Sequence, residues 1–391
     1  MSLSILLPEL IDDILLRLPQ KPLARFKCVS KHYNSLISDP EFTKLHLQRL
    51  PKISHTLISL EEANTWVITP NSVHHLLEHP SSITEEEDAS LRFNMNENDC
   101  FSIGSANGLV SLISVKSQEG GNKEICTQFW NPTLRLRSED SPNLTIMPPP
   151  SNDNMLSRVH FGFGYDDLSD TYKVAAVFWN CIAQKMEAKV HCMGDSSWRN
   201  TLACHDFPIL LQRTIVGPFV NGSVNWLTYH NLNCHLYERE NVTINQLLIF
   251  SLDLRKEACK YILLPDATTV VSQDLLKLAV LRGCLCFYYN HMRTHFVLWE
   301  MKEFGVQESW TQLVNVSYGH LQFREFLNWL LLPVCLSEDG DVVMLVCEEE
   351  DEAIMYNQKD GIVEPVELSN NQIRYAEEHM QSLVLPCPHP H

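Results

Sequence analysis

The sequence predicts a small all-α unit of three to four short helices, residues 1–48, followed by an all-β, propeller-like body of about six blades, residues 49–391. Up to about residue 48, apolar side chains recur at steps of three and four, the period of amphipathic helices. Beyond Leu50 the period shortens to two, as in strands. Glycine or acidic turn signals leading into apolar strands then return about every 56 to 61 residues, as expected of a repeated sheet.

In the first predicted helix, Leu7, Leu10, Ile11, Ile14, Leu15 and Leu18 form one apolar stripe. Pro8 suits its first turn, Glu9, Asp12 and Asp13 favour the positive end of its dipole, and Pro19 stops it. Pro22 opens a second helix through Leu23, Phe26 and Cys28. Ser30 caps a third that carries Tyr33, Leu36 and Ile37, and Asp39-Pro40 opens a fourth with Phe42, Leu45 and Leu47. A unit this small cannot bury all of these side chains by itself. Its surplus apolar face belongs either to the body, as a cap, or to a partner, as a docking module.

The body offers short runs rich in β-branched and aromatic residues: "HTLISL", "GLVSLISV", "YKVAAVFW", "LLIFSL", "LCFYYN", "FVLWEM" and "VVMLVC". Turn signals precede the apolar strands at Asn107-Gly108, Gly164-Tyr165, Asn221-Gly222, Arg282-Gly283 and Asp339-Gly340. In four of the five units a second strand pair ends in a tryptophan-containing or polar turn, "QFWNPTLRL", "GDSSWRNTL", "SLDLRKEACKYILLP" and "GVQESWTQL"; the last unit instead has "AIMYNQKDGIVEPVEL". The spacing is near the roughly 50-residue blade of kelch-type repeats. A sixth unit shared between "HTLISL" and the C-terminal "MQSLVLPC" would close a ring and remove exposed strand edges. The polar stretch about 69–100 is expected as an insertion, and the acidic runs Glu85–Asp88 and Glu348–Glu352 as solvated loops.

Composition narrows the function classes. With 48 acidic against 30 basic side chains the chain carries a net charge of −18, which repels nucleic acid and anionic membranes. No apolar run approaches the roughly 20 residues of a spanning helix, and Met1–Leu7 lacks the features of a secretion signal. Thirteen scattered cysteines fit reduced thiols, so the expected location is the cytoplasm, the nucleus or both. The sequons at Asn143, Asn221, Asn241 and Asn315 are then expected to stay unmodified.

No catalytic constellation emerges. His75-x-x-Glu78-His79 has the order of an inverted zinc-peptidase motif, but Pro80 cuts the helix such a site needs, and no third ligand follows. Cys284 and Cys286 share one face of a strand without a second cysteine pair, which reads as small buried side chains. "FGFGYDD" has two glycines and precedes a turn rather than a helix, so it is no dinucleotide fingerprint. His160 and His191 read as structural. No metal or cofactor is expected.

The stretch "LPELIDDILLRLPQKPLARFKCVSKHYNSLISDPEF" resembles the F-box of plant F-box proteins, chiefly in "ILLRLP", "RFKCVSK" and "SLISDPEF". The body resembles the F-box-associated interaction domain, through "FWNPTLRLRS", "FGFGYDDLSDTYKV", "VNGSVNWL", "FSLDL", "EFGVQESWTQL", "LSEDGDVVML" and "MQSLVLP". F-box/kelch-repeat-like and S-locus F-box-like members are the most similar. The resemblance implies a substrate-receptor subunit of an SCF-type ubiquitin ligase that is not itself an enzyme. Its F-box would dock on a Skp1-type adaptor, and through it on cullin and RING subunits, while the associated domain holds an unknown protein substrate. Family adaptor-contact positions fall on Pro8, Leu10, Ile14, Leu15, Leu18, Pro19, Leu23, Val29 and Tyr33. Two departures stand out: Pro8-Glu9-Leu10 is one residue shorter than usual, and "CVSKHY" replaces "CVCKSW". The competing readings are a propeller scaffold whose altered F-box recruits no cullin and, far behind, a kelch-type oxidase or zinc hydrolase.

Overall fold

The computed structural model describes residues 8–49, 55–61, 65–73, 77, 91–94, 99–117, 123–146, 159–180, 183, 185–201, 215–229, 241–272, 275–322, 331–347, 352–366 and 373–387. Four helices open it: α1 (Pro8–Leu15), α2 (Gln20–Phe26), α3 (Lys31–Ser38) and α4 (Pro40–Arg49). The caps are those the sequence suggests. Ser30 Oγ accepts from Tyr33 N at 3.2 Å, and Asp39 Oδ1 accepts from Glu41 N at 2.9 Å. Pro22 lies inside the first turn of α2 rather than opening it, a place where a backbone N–H would have no partner in the helix.

Six larger sheets follow, each of four or five strands. The first joins β1 (His55–Glu61), β2 (Thr65–Ser72) and β3 (Leu91–Asn94) to the last strand, β28 (Ile373–Met380), which pairs with β1. In the second, β4 (Asp99–Ala106), β5 (Leu109–Ser117), β6 (Lys123–Asn131) and β7 (Leu136–Arg137) run in order, with β8 (Leu144–Ile146) also on β6. The third comprises β9 (Val159–Asp166), β10 (Thr171–Asn180), β11 (Lys185–Cys192) and β12 (Arg199–Asn200), extended by β13 (Val216–Gly217) parallel to β9. The fourth orders β14 (Phe219–Val220), β15 (Ser223–Tyr229), β17 (Leu247–Asp253) and β18 (Ala258–Leu263), while β16 (Asn241–Thr243) pairs separately with β19 (Val270–Ser272). The fifth consists of β20 (Leu276–Leu281), β21 (Cys284–His291), β22 (His295–Met301) and β23 (Trp310–Ser317). The sixth consists of β24 (Leu332–Leu336), β25 (Val342–Cys347), β26 (Glu352–Asn357) and β27 (Val363–Val366).

All seven apolar runs singled out in the sequence are strands, and the four second-pair turns fall between third and fourth strands, as does the differing stretch of the last unit. Asn107-Gly108, Asn221-Gly222 and Arg282-Gly283 are two-residue hairpins with both φ angles positive, as a primed turn demands. Gly164-Tyr165 is not a turn: it lies within β9, and the hairpin comes at Asp167–Asp170. Of the stretch expected as an insertion, residues 69–72, 91–94 and 99–100 are strand. Glu85–Asp88 and 348–351 lie outside the described residues, and Glu352 starts β26.

The core is divided among the spaces between neighbouring sheets. One cluster joins Ile103, Phe129 and Ile113 of the second sheet to Phe161, Phe163 and Val174 of the third. Another sets Phe296, Leu298 and Val316 of the fifth against Leu345 and Ile354 of the sixth. Tryptophan indoles add polar stitches of the same kind. Trp198 donates to Pro142 O at 2.8 Å, Trp226 to Phe161 O at 3.1 Å and Trp310 to Leu263 O at 3.0 Å, each reaching the preceding sheet. A buried ionic group spans the third and fourth sheets. Lys173 Nζ lies 2.8 Å from Asp166 Oδ2 and 3.4 Å from Glu257 Oε1, and Glu257 also accepts from Arg199. A cavity of about 510 Å³ is lined by residues from all six larger sheets: β4, β9 with β13, β14 with β15, β20 with β21, β24 and β28.

Candidate docking face of the helical unit

The amphipathic helices divide their apolar side chains between two directions. Leu15, Leu16, Leu23, Ile37 and Phe42 are buried together, with Ile11, Leu18, Tyr33 and Leu36 packed around them. Leu10 and Ile14, one turn apart on α1, remain 50% and 49% exposed. Phe26 and Val29, at and just after the end of α2, are 36% and 65% exposed, and Leu45 of α4 is 44% exposed. A single exposed leucine needs no explanation, but five large apolar residues on one small helical unit leave an unpartnered surface.

The nine residues singled out in the sequence are therefore divided. Leu10, Ile14, Pro19 and Val29 are exposed, Leu18 and Tyr33 are half-buried, and Leu15 and Leu23 belong to the interior. For Pro8 the structure describes the backbone alone, at the start of α1. Phe26 was not among the nine, although its ring meets that of Tyr33 edge-on at 6.0 Å. Its place three residues before Val29 was the available signal.

Charged and polar groups hold the helices in register. Asp13 accepts from Arg49 at 2.6 Å and from Arg17 at 3.0 Å, tying α1 to α4, and the Arg49 contact foremost holds its carboxyl below the usual range. His46 is buried, stacks on Phe42, and meets Leu18 O at 2.9 Å through Nε2. Burial lowers its pKa, against the opposing pull of that carbonyl.

The other side of the unit lies on the body. Leu383 joins the buried helical cluster, and Leu134, from the turn between β6 and β7, packs against it. Gln20 Nε2 donates to Gln381 O at 2.9 Å, and Lys44 faces Asp170 at 3.5 Å. Sequence reasoning missed these partners because contacts between residues 20 and 381 leave no local pattern.

The other candidates are structural or lie outside the described residues. His75, Glu78 and His79 fall in the latter class, and among the described residues no group of three or more His, Cys, Asp or Glu could hold a metal ion. Cys286 is buried on β21, donates weakly to Cys284 O at 3.7 Å, and has its thiol pKa pushed up by burial. His191 is buried, with Nε2 on Asp195 O at 3.1 Å. Cys28 and Cys126 are among the described cysteines outside any disulfide, whereas Cys259 is disulfide-bonded and so departs from the all-thiol expectation.

Family comparison bears on both parts of the chain. The F-box domain model matches residues 3–45, and that of the F-box associated beta propeller domain matches residues 57–385. The chain belongs to the F-box proteins that carry this associated domain. Similar relatives come from Arabidopsis thaliana. An F-box/kelch-repeat protein is 28% identical over 97% of this chain and 95% of its own length. The F-box protein CPR1 is 28% identical over 79% of this chain and 72% of its own. The helical unit is thus the F-box, and its exposed apolar residues lie on it.

Proposed function

We propose that the chain is the substrate-receptor subunit of an SCF-type ubiquitin ligase. Leu10, Ile14, Phe26 and Val29 on the F-box meet a Skp1-type adaptor, and through it cullin and RING subunits. The β body acts as a six-bladed propeller that holds a protein substrate. The observation that carries this reading is the exposed apolar set within the F-box. The propeller reading is supported by six sheets built mainly from strands consecutive in sequence, a cavity lined by residues of all six, and the pairing of β28 with β1. Such a subunit performs no chemistry; it raises the local concentration of substrate lysines near a ubiquitin thioester. Its place of work would be the cytoplasm, the nucleus or both.

Purified Skp1-type adaptor is the direct probe. Ile14→Asp would put an unpaired carboxylate into an apolar contact at a cost of about 3 kcal/mol, over a hundredfold in Kd. Because Ile14 is half exposed in the free chain, its melting should stay unchanged. A native chain that binds no adaptor, or an Ile14→Asp chain that binds as well as the native one, overturns the docking reading; the first outcome leaves the scaffold.

A further inference from the structure

The F-box rests on the body through a short C-terminal segment, residues 381–385, beside the β6–β7 turn and the Lys44–Asp170 pair, and the geometry points to this segment as a latch that completes the F-box core and fixes its orientation. Leu383, 2% exposed, shares a cluster with Leu15, Leu16, Leu23, Ile37 and Phe42, so the F-box interior is closed by a side chain from the far end of the sequence. Gln20, itself buried, adds a hydrogen bond to Gln381 O across 361 positions.

From below, the segment is gripped by Asn131. This residue is fully buried, and its Nδ2 donates to Ser382 O at 3.1 Å, to Val384 O at 2.7 Å and to Ser382 Oγ at 3.4 Å. Its Oδ1 accepts from Leu134 N at 3.0 Å, in the turn whose Leu134 touches the same F-box cluster. One buried amide therefore sets two of the body elements that the F-box sits on. The segment also lies so close to the β4–β5 turn that a Cβ at Gly108, where φ is +80°, would come within 2.3 Å of Ser382 Oγ.

Asn131 is thus a positioning residue. Resting on the proposed function, the latch fixes the direction in which the substrate-holding body points away from the adaptor. An F-box so held is cooperative with the body; without the latch it loses part of its interior and its seat together.

Hydrogen exchange on the full chain tests this, read separately in residues 8–49 and in β9–β11. Asn131→Asp keeps the acceptor for Leu134 N and removes the N–H groups that hold the segment. Leu383→Ala removes the side chain inside the F-box cluster. In each variant, F-box amides should exchange at least tenfold faster while β9–β11 keep their protection. If Asn131→Asp loosens the body as well, Leu383→Ala decides alone. Unchanged F-box protection in Leu383→Ala overturns the latch. Adaptor affinity of the native chain is measured beside it; a failure there removes the proposed function and leaves the exchange result standing.

Discussion

Gly162 and Gly164 give "FGFGYDD" its meaning. A Cβ at Gly162 would lie 2.0 Å from Val224 Cγ1, and one at Gly164 2.2 Å from the Phe219 ring, both in the neighbouring sheet. The glycines therefore let β9 press against the fourth sheet. Gly162→Ala should cost about 2 kcal/mol by overpacking, and Val224→Ala in the same chain should recover part of it. Denaturant melting of the two single variants and the double one checks this; strict additivity would argue against the contact. A glycine in a sequence marks either a turn or a close approach, and only the neighbour decides which. That is why Gly164 read as a turn.

Titrating groups at the same scale divide the response to acid. Burial lowers the pKa of His46, so the folded F-box favours the neutral ring. The unfolded chain then takes up its proton first, and stability is lost as pH falls below about 6.5. Burial pushes the Asp166 and Glu257 carboxyls up, but Lys173, Ser169 and backbone N–H groups at Asp166, and Arg199 with Lys173 at Glu257, outweigh it and hold both below their usual values. Their contribution is present above about pH 4 and is lost as pH falls further. Burial lowers the pKa of His191 on β11 as it does that of His46, so the third sheet shares the first step. Acid should therefore loosen the F-box and β11 before the Asp166–Glu257 ionic group is lost, as followed by hydrogen exchange between pH 7 and 4. His46→Gln should flatten the first step in the F-box alone. Loosening confined to pH below about 4 would contradict this order.

Among the elements, α1 combines two roles within eight residues. Leu10 and Ile14 face outward while Leu15 turns inward against Leu23 and Leu383. Leu15→Asp would bury a carboxylate in that core, and a loss of several kcal/mol should appear as a lower F-box melting temperature. The outward Leu10→Asp should leave melting unchanged. Equal melting of the two variants would mean the helix is turned differently. Periodicity made the width of the apolar stripe legible, and with it the surplus beyond what the unit can bury. It could not apportion the stripe, because the exposed and body-facing halves are equally apolar. The strands were legible from their turns for the opposite reason: primed hairpins demand glycine at fixed places, as Gly108, Gly222 and Gly283 show.

Across the whole molecule, the first and last strands are partners. β1 pairs with β28 from His55↔Met380 to Glu61↔Ile373, so the first sheet is assembled from both ends of the body. A chain lacking residues 373–391 keeps β2 and β3 on one side of β1 and leaves the other edge bare. Bare edges recruit other edges, so this truncation should scatter light and elute in the void volume under conditions where the full chain stays dispersed. A monodisperse truncated chain would mean that β1 is covered by something else.

The same pairing places the molecule on a clock. Residues of β1 leave the ribosome about 300 positions before their partner strand does. At about 5–20 residues per second the wait is on the order of 15–60 s. During it the F-box, whose interior waits for Leu383, and a strand with one open edge are displayed together on the nascent chain. A sheet closed by a strand so far along the chain cannot finish folding before that strand emerges. Its yield in a cell should therefore depend on holding factors at the ribosome and on elongation speed more steeply than its finished stability suggests.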